Sequence, residues 1–473
     1  MTKTLSYSAD QATKRAVLLV ATMAAFLTPF TASSINIALP SLRSEFHVDT
    51  MLLTWIPTSF LLSTSMFLVP FGKIADLVGR RRIFVYGISI FTFASSLSVI
   101  SFNVTMLLCF RVLQGMGTAM IFGTGMAMLA TVYPPGERGK VIGINVATVY
   151  IGLSVGPFLG GVLTELFTWR GVFAATVPLG LVTIFVSFWK LKWVWRRTGT
   201  EKFDISGSLL YAFSIATFML GLSDLPSLRG CLATFTGICL FILFVRYELK
   251  VPSPVLNIDL FRKNRGFAFS SLAALINYSA TFAVTFLLSL YLQYIREFSP
   301  RDAGLVLMAQ PVTMAILSPI AGRLSDRIEP QKVASSGMFL TAFGLLLLSF
   351  LTAHTNLNMI LMNLILLGCG FALFSSPNMT AIMNSVDSSF YGVASGVVGS
   401  MRLVGQMLSM GLASLIFAIF IGSERITPEI YPVFLKSLNA AFTLFSVICA
   451  LGIIPSLARG KILSNRISTD ADL

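Results

Sequence analysis

Charged residues are scarce in this chain of 473 residues: Asp, Glu, Lys and Arg together make up only 11% of it. A soluble domain carries about 25% charged residues, so the deficit excludes an ordinary soluble protein. Apolar residues make up 55% of the chain and include 40 Phe and 20 Met. The net charge of +14 does not indicate a nucleic-acid partner. The basic residues form short clusters between apolar runs, a pattern typical of the cytoplasmic loops of membrane proteins.

Residues that bind metals or perform covalent catalysis are also rare. The five cysteines lie in or beside apolar runs without ligand spacing, which argues against a disulfide framework and a metal site. The sequence has no paired carboxylates and no nucleophile motif at a plausible site. Segment 136–140 lacks the glycine spacing and the Ser or Thr of a phosphate-binding loop. The sequence therefore predicts no enzyme, no cofactor and no ATP-driven pump.

Long uncharged apolar runs fill the chain. A membrane-spanning helix needs about 20 apolar residues, and a helix satisfies its own backbone where no water is present. The first run is longer than a signal peptide, so it is predicted to be a membrane helix. The run at 333–386 has double length and is predicted to split at 354–356. The predicted helices cover 16–42, 50–72, 83–110, 112–136, 141–164, 171–189, 205–223, 230–245, 266–295, 303–322, two within 333–386, 388–423 and 437–458.

The distribution of basic residues between loops predicts the orientation. Of the 34 Lys and Arg, 25 fall in the two tails and the loops on the same side, and seven fall in the opposite loops. The remaining two, Arg111 and Arg402, lie inside predicted helices. Because cytoplasmic loops are enriched in Lys and Arg, the sequence predicts a multi-pass protein of the cytoplasmic (inner) membrane with both termini in the cytoplasm.

Two loops repeat each other at an offset of 250 residues: Gly72 and Asp76 follow predicted helix 2, and Gly322 and Asp326 follow helix 10. Internal repeats of six helices, with a central site between them, are a transporter architecture. The predicted fold is therefore all-α and integral to the membrane, with two six-helix halves and two inserted helices. The predicted segments are an N-terminal tail (1–15), the first half (16–193), a linker with the inserted pair (194–265), the second half (266–458) and a C-terminal tail (459–473).

Three segments have the form of transporter motifs. In the loop after helix 2, Gly79, Arg80 and Arg81 follow Asp76. In helix 4, the intramembrane Arg111 is followed by Gln114, and an intramembrane charge indicates function because it is expensive to bury. Glycines four residues apart in helix 5 allow close backbone approach. That third motif consists of Gly143, Gly152, Gly156, Pro157, Gly160 and Gly161.

Together these segments resemble the major facilitator superfamily and, within it, the fourteen-helix drug:proton antiporters. The resemblance extends over essentially the whole chain. It implies a monomeric secondary transporter that exports small amphipathic or hydrophobic compounds by alternating access, in exchange for protons. It also implies that Asp76 closes an inner gate against the start of helix 13, near Gly392. A symporter or facilitator that takes up solutes has the same fold and is the main alternative, since fold does not fix function.

The chain departs from this pattern in helix 1. Fourteen-helix antiporters usually carry an aspartate five residues before the Asn of N-x-A-L-P, and here Thr31 precedes Asn36 at that spacing. A threonine does not titrate, so proton coupling would have to use Asp76, Glu165, Asp224 or the substrate itself. Without a buried carboxylate, neutral, zwitterionic or anionic substrates are favoured over permanent cations. The predicted polar pocket residues are Thr31, Asn36, Gln114, Asn145, Tyr150, Asn277, Tyr278, Gln310, Asn378 and Arg402.

Overall fold

The computed structural model describes residues 11–191, 203–256, 258–386, 391–422 and 426–460, and no strand occurs among them. The all-α prediction is confirmed. Fourteen described helices are long and apolar enough to cross a membrane, as predicted. These spans, numbered 1 to 14 below, are Gln11–Phe46, Leu52–Val78, Arg80–Val99, Val104–Val132, Gly143–Phe167, Arg170–Lys190, Ile205–Ser223, Leu228–Glu248, Arg265–Ile295, Pro300–Ser325, Pro330–Leu348, Leu357–Asn384, Gly396–Phe420 and Pro428–Ala458.

The spans extend beyond the predicted helices at several ends. Span 1 continues to Phe46, so Arg43, which was predicted to lie in a loop, is part of the helix. The double-length run splits as predicted, since its second helix begins at Leu357. Most of the predicted tails and of the 194–204 linker lies outside the described residues.

Short turns fix the ends of the helices. Asp49 accepts a hydrogen bond from the Leu52 N–H at 2.7 Å and caps the start of the second helix. Gly79 joins spans 2 and 3 with φ of 120°, a backbone conformation that other residues adopt only under strain. Because the number of spans is even, span 1 begins at the same end of the bundle where span 14 ends. We call this the tail end and the opposite one the far end.

Large apolar side chains cover the outside of the bundle. Span 8 is the most exposed of the spans, and its large apolar side chains Phe235 (67%), Ile238 (44%) and Phe241 (43%) are exposed on the surface of the bundle. A soluble protein rarely exposes so much continuous apolar surface, whereas hydrocarbon solvates it well. The bundle is therefore suited to a bilayer.

The inserted pair, spans 7 and 8, packs against both six-helix groups. The Tyr211 hydroxyl of span 7 donates to the Ser65 carbonyl of span 2 at 3.2 Å. On the other side, a Cβ added to Gly411 of span 13 would lie 2.6 Å from Leu222 Cδ2 of span 7. Span 7 thus lies along the seam between spans 1–6 (the N-terminal group) and spans 9–14 (the C-terminal group), and span 8 packs on its outside.

Spans 1 and 5 approach each other most closely along the glycine motif. The Ser34 hydroxyl donates to the Gly156 carbonyl at 2.8 Å, a contact that only a close backbone approach permits. A Cβ added to Gly156 would lie 1.8 Å from Ser33 Oγ, and one added to Gly160 would lie 2.7 Å from Ser34 Cβ. By contrast, Gly143 has no heavy atom within 4 Å of that position.

This difference predicts that Gly156→Ala destabilises the protein and Gly143→Ala does not. Overpacking a close contact costs about 1–3 kcal/mol, whereas alanine in an open helix position is favoured over glycine by up to about 1 kcal/mol. The melting temperature of each purified variant in detergent measures the effect. Equal melting temperatures for the two variants would contradict the packing of spans 1 and 5 described above.

Candidate functional site

Near the middle of the bundle, side chains from both groups form one cluster. The Tyr150 and Ser375 hydroxyls are 2.6 Å apart and join span 5 to span 12. The Tyr278 ring of span 9 packs edge-on against Phe371 of span 12, with ring centroids 5.5 Å apart. Because the two groups meet here, the cluster lies where alternating access requires a substrate site. This central cluster consists of Phe122, Tyr150, Tyr278, Met314, Phe371, Ser375 and Arg402.

Arg402 provides the charge of the central cluster. It lies eleven residues into the helix Tyr391–Phe420, about 16 Å along its axis and so deep within a bilayer. Its guanidinium lies 5.3 Å from the centre of the Phe122 ring and interacts electrostatically with Tyr150 and Tyr278. Among the described residues, no hydrogen bond or ion pair satisfies it. The cluster therefore presents an uncompensated positive charge between aromatic and hydroxyl groups.

Arg111, unlike Arg402, makes hydrogen bonds to neighbouring helices. Its Nε donates to the Ile56 carbonyl of span 2 at 3.2 Å, and its Nη1 donates to Gln114 Oε1. Gln114 in turn donates to the Ser95 hydroxyl of span 3 at 2.8 Å. The Phe60 ring centre lies 4.3 Å from the guanidinium, and Arg111 is fully buried. The embedded arginine thus ties spans 2, 3 and 4 together within the N-terminal group.

Polar contacts between the two groups close the far end. Arg43 Nη1 donates to the Ile426 carbonyl at 3.1 Å, and its guanidinium lies 5.1 Å from the Tyr294 ring centre. The Ser289 hydroxyl donates to the Asn36 carbonyl at 2.8 Å. Span 9 ends in a π-helical turn at Tyr291–Ile295, a distortion often found at functional positions. These contacts join span 1 to span 9 and to the segment that precedes span 14.

The glycine motif also takes part in this seal. A Cβ added to Gly161 of span 5 would lie 2.4 Å from the Pro300 carbonyl oxygen of span 10. One added to Gly304 would lie 2.2 Å from the Pro157 carbonyl oxygen. One face of the motif therefore packs on span 1 inside the N-terminal group, and another face meets the C-terminal group.

The tail end is less closely packed around several glycines. Added Cβ atoms at Gly72, Gly125, Gly143 and Gly396 would have no heavy atom within 4 Å. The helices are thus packed less closely around these four glycines than around Gly161 and Gly304 at the far end.

The loop motif at the tail end folds back on its own group. Arg80 Nη2 lies 2.8 Å from Asp76 Oδ1, and Arg80 Nη1 donates to the Ala127 carbonyl of span 4 at 2.9 Å. The Arg81 Nε is buried without a partner. In the repeated loop, a Cβ on Gly322 would meet Ser376 Oγ at 3.1 Å. The predicted partner of Asp76 is the start of helix 13 near Gly392. The side chains there and that of Asp326 lie outside what the structure describes, so this prediction is not tested.

Several predicted pocket residues do not reach the central cluster. Thr31 is fully buried and donates to the Leu27 carbonyl of its own helix at 2.8 Å. Asn277 is buried, with its Nδ2 4.0 Å from Cys449 Sγ of span 14. Asn145 and Asn36 are buried on spans 5 and 1, and Gln310 is half-buried one turn from Met314 on span 10.

Asn378 belongs to a polar network at the tail end. It accepts a hydrogen bond from Arg459 Nη1 at 2.8 Å and donates to the Ser270 carbonyl at 3.2 Å. Arg459 was assigned to the C-terminal tail from the sequence, but only 3% of it is exposed, and burial lowers its pKa to about 10. The sequence does not reveal this burial, because Arg459 adjoins the basic tail. Arg43 was missed in the same way, as a charge at a predicted helix end.

The fold is that of a polytopic membrane transporter, with the central cluster between two six-helix groups. The family model of the Major Facilitator Superfamily matches residues 21–268 and 270–465, so the chain belongs to that superfamily. The resemblance of its motifs to this superfamily is confirmed. The chain is a transporter and not an enzyme.

Individual relatives and one solved structure are similar to the chain over most of its length. It is 28% identical to the riboflavin transporter RibZ of Clostridioides difficile (strain 630), over 93% of this chain and 96% of the relative. It is 27% identical to the multidrug resistance protein Stp of Mycobacterium tuberculosis (strain ATCC 25618 / H37Rv), over 88% and 79%. A crystal structure of a mutant peptide transporter POT in complex with sulfate has the same fold, with a TM-score of 0.67, 16% identity and coverage of 93% and 95%.

The contrast between the two intramembrane arginines predicts opposite responses to lysine. Arg111→Lys should lower the free energy of unfolding by about 1–3 kcal/mol, because one ammonium cannot reach both acceptors of the planar guanidinium. Arg402→Lys should leave stability nearly unchanged, because Arg402 makes no hydrogen bond to the described residues that the substitution would break. Melting temperatures in detergent measure both effects. Equal losses in the two variants would contradict the assigned bonding of Arg111.

The contact of Gly304 predicts a change in conformation. Gly304→Ala should hold the far end open, since its Cβ cannot fit beside the Pro157 carbonyl. In a background without the five native cysteines, a cysteine at Asn36 should then react several-fold faster with a membrane-impermeant maleimide. Gly396→Ala is the control, because its added Cβ meets no atom. An unchanged rate in Gly304→Ala would show that this contact does not keep the far end closed.

Proposed function

We propose that this chain exports aromatic amphipathic compounds that are neutral or anionic, and that they bind at the central cluster. The unpaired Arg402 guanidinium is the observation that carries this proposal. A bound carboxylate, phenolate or carbonyl oxygen would supply the partner that the protein does not. The rings of Phe122, Tyr278 and Phe371 would pack against an aromatic substrate.

The charge of the central cluster argues against permanent cations. Thr31 stands where the related antiporters usually carry an acid, and no described carboxylate contacts the cluster. A desolvated cation would meet Arg402 without compensation, and cation–π attraction of about 0.5–2 kcal/mol per ring is a weak substitute. The relatives include proteins named for riboflavin transport and for tetracenomycin C resistance and export. Those names support an aromatic substrate and, in the second case, export.

Orientation and energy supply belong to the same proposal. In this proposal both termini lie in the cytoplasm, so the tail end of the bundle faces the cytoplasm. The less close packing at that end would admit a substrate from the cytoplasm. An anion that leaves the negative interior gains about 2.3 kcal/mol per charge per 100 mV of membrane potential. Neutral substrates would instead leave in exchange for protons. Asp76 is already bonded to Arg80, so its use in proton transfer would require that pair to open.

Transport by proteoliposomes tests the proposal. The probes are riboflavin, a fluorescent aromatic carboxylate and ethidium as a permanent cation, each with a pH gradient or a membrane potential imposed separately. The wild type should move the carboxylate and riboflavin faster than ethidium. Arg402→Gln should slow carboxylate transport about tenfold or more, the equivalent of one lost charge-assisted hydrogen bond of about 1.4 kcal/mol or greater.

Two controls separate substrate binding from general damage. Arg229→Gln removes an exposed charge on span 8, far from the cluster, and should leave all rates unchanged. Arg402→Lys keeps the charge and should retain part of the carboxylate transport. Ethidium transport by the wild type as fast as carboxylate transport would refute the proposed substrate class. Net uptake against a gradient would support the alternative symporter.

A further inference from the structure

The inserted helix pair contains a carboxyl pair that the transport cycle described above does not use. Asp204 caps the start of span 7, and Glu248 is the last residue of span 8. Since the two helices run antiparallel, these positions meet at the tail end. Glu248 is only 3% exposed, unusually little for a glutamate without a cationic partner.

One oxygen of each carboxyl group accepts hydrogen bonds from nearby protein groups. Asp204 Oδ1 accepts from the Gly207 N–H at 2.9 Å and from the Tyr247 hydroxyl at 3.2 Å. Glu248 Oε2 accepts from the Leu256 N–H at 3.0 Å. The other two oxygens, Asp204 Oδ2 and Glu248 Oε1, are buried and have no hydrogen-bond partner.

The two unpartnered oxygens converge on one point. A Cβ added to Gly207 would lie 2.3 Å from Asp204 Oδ2 and 2.4 Å from Glu248 Oε1. The glycine therefore leaves room for both carboxyl groups, and the two unpartnered oxygens enter the same small space. Two bare carboxylate oxygens repel, so this arrangement requires a hydrogen between them.

Among the described residues, no hydrogen bond or ion pair from a Lys or Arg reaches either carboxyl group. The charged or titratable groups that interact with the pair, among the described residues, are its own two carboxyls and the Tyr247 hydroxyl. Two carboxylates whose facing oxygens are both buried do not ionise together, as in other carboxyl pairs that share one proton.

We propose that Asp204 and Glu248 form a proton-binding site in which one hydrogen bridges Asp204 Oδ2 and Glu248 Oε1. The site is separate from the central cluster and does not depend on the proposed substrate. Through the Leu256 N–H bond, it also fastens the segment that leads from the inserted pair to span 9. When the proton leaves, repulsion between the carboxylates loosens that connection, so stability falls as pH rises through the deprotonation of the pair.

Infrared difference spectroscopy of the full-length protein tests the site directly. At neutral pH the wild type should show the C=O stretching band of a protonated carboxyl group, and the band should vanish in alkaline buffer. Glu248→Gln and Asp204→Asn should each remove it. The glutamine amide can donate to Asp204 Oδ2 and so imitates the bridged state. Glu248→Gln should therefore keep its melting temperature in alkaline buffer, where the wild type loses several degrees.

Glu165→Gln is the matched control, since Glu165 is exposed on span 5 and its removal should leave the band intact. A band that persists in both pair variants, or no such band in the wild type at neutral pH, would overturn the proposal. So would loss of the band when sodium replaces choline at constant pH, because the pair would then bind a metal cation instead of a proton. Asp204→Asn keeps the test decisive if Glu248→Gln does not fold.

Discussion

The cost of an uncompensated charge in a medium of low polarity shapes this molecule. The chain carries 11% charged residues, and two of them, Arg111 and Arg402, lie within membrane spans. Arg111 donates to two acceptors and packs on an aromatic ring within one group, while its Nη2 is buried without a partner. Arg402 lies over an aromatic ring and has no acceptor among the described residues. The same physical rule thus makes one arginine part of the scaffold and the other a candidate binding group.

The rule also explains where acidic side chains occur. Asp204 and Glu248 lie at the tail end of the inserted pair, and Glu45 lies at the far end, where it accepts from Trp169 and pairs with Arg170 at 2.7 Å. None of these acids reaches the central cluster. Under the proposed function, substrates would be selected by an acceptor group that pairs with Arg402, and not by a buried acid of the protein.

Much of the fold follows from the sequence because hydrophobic length and loop charge are local properties. The glycine motif likewise predicted close packing of span 5, although not its second contact with Gly304 of span 10. The candidate site was less predictable. Tyr150, Tyr278 and Arg402 were predicted to be pocket residues and lie together, whereas Thr31 and Asn277 are buried elsewhere. Which face of an all-apolar helix meets a neighbour depends on the tertiary arrangement, and composition does not encode it.

The central cluster and the far-end seal share the same helices. Span 5 carries Tyr150 and, about two turns further, Pro157. Span 9 carries Tyr278 and, beyond it, the Ser289 that bonds span 1. Span 13 carries Arg402 and the Ser414 hydroxyl, which accepts from Thr54 of span 2 at 3.1 Å. A rotation that opens the far end must therefore move the cluster too. Under the proposed function, a substrate bound at the cluster would be coupled to the far-end contacts through these shared helices, without a separate relay of side chains.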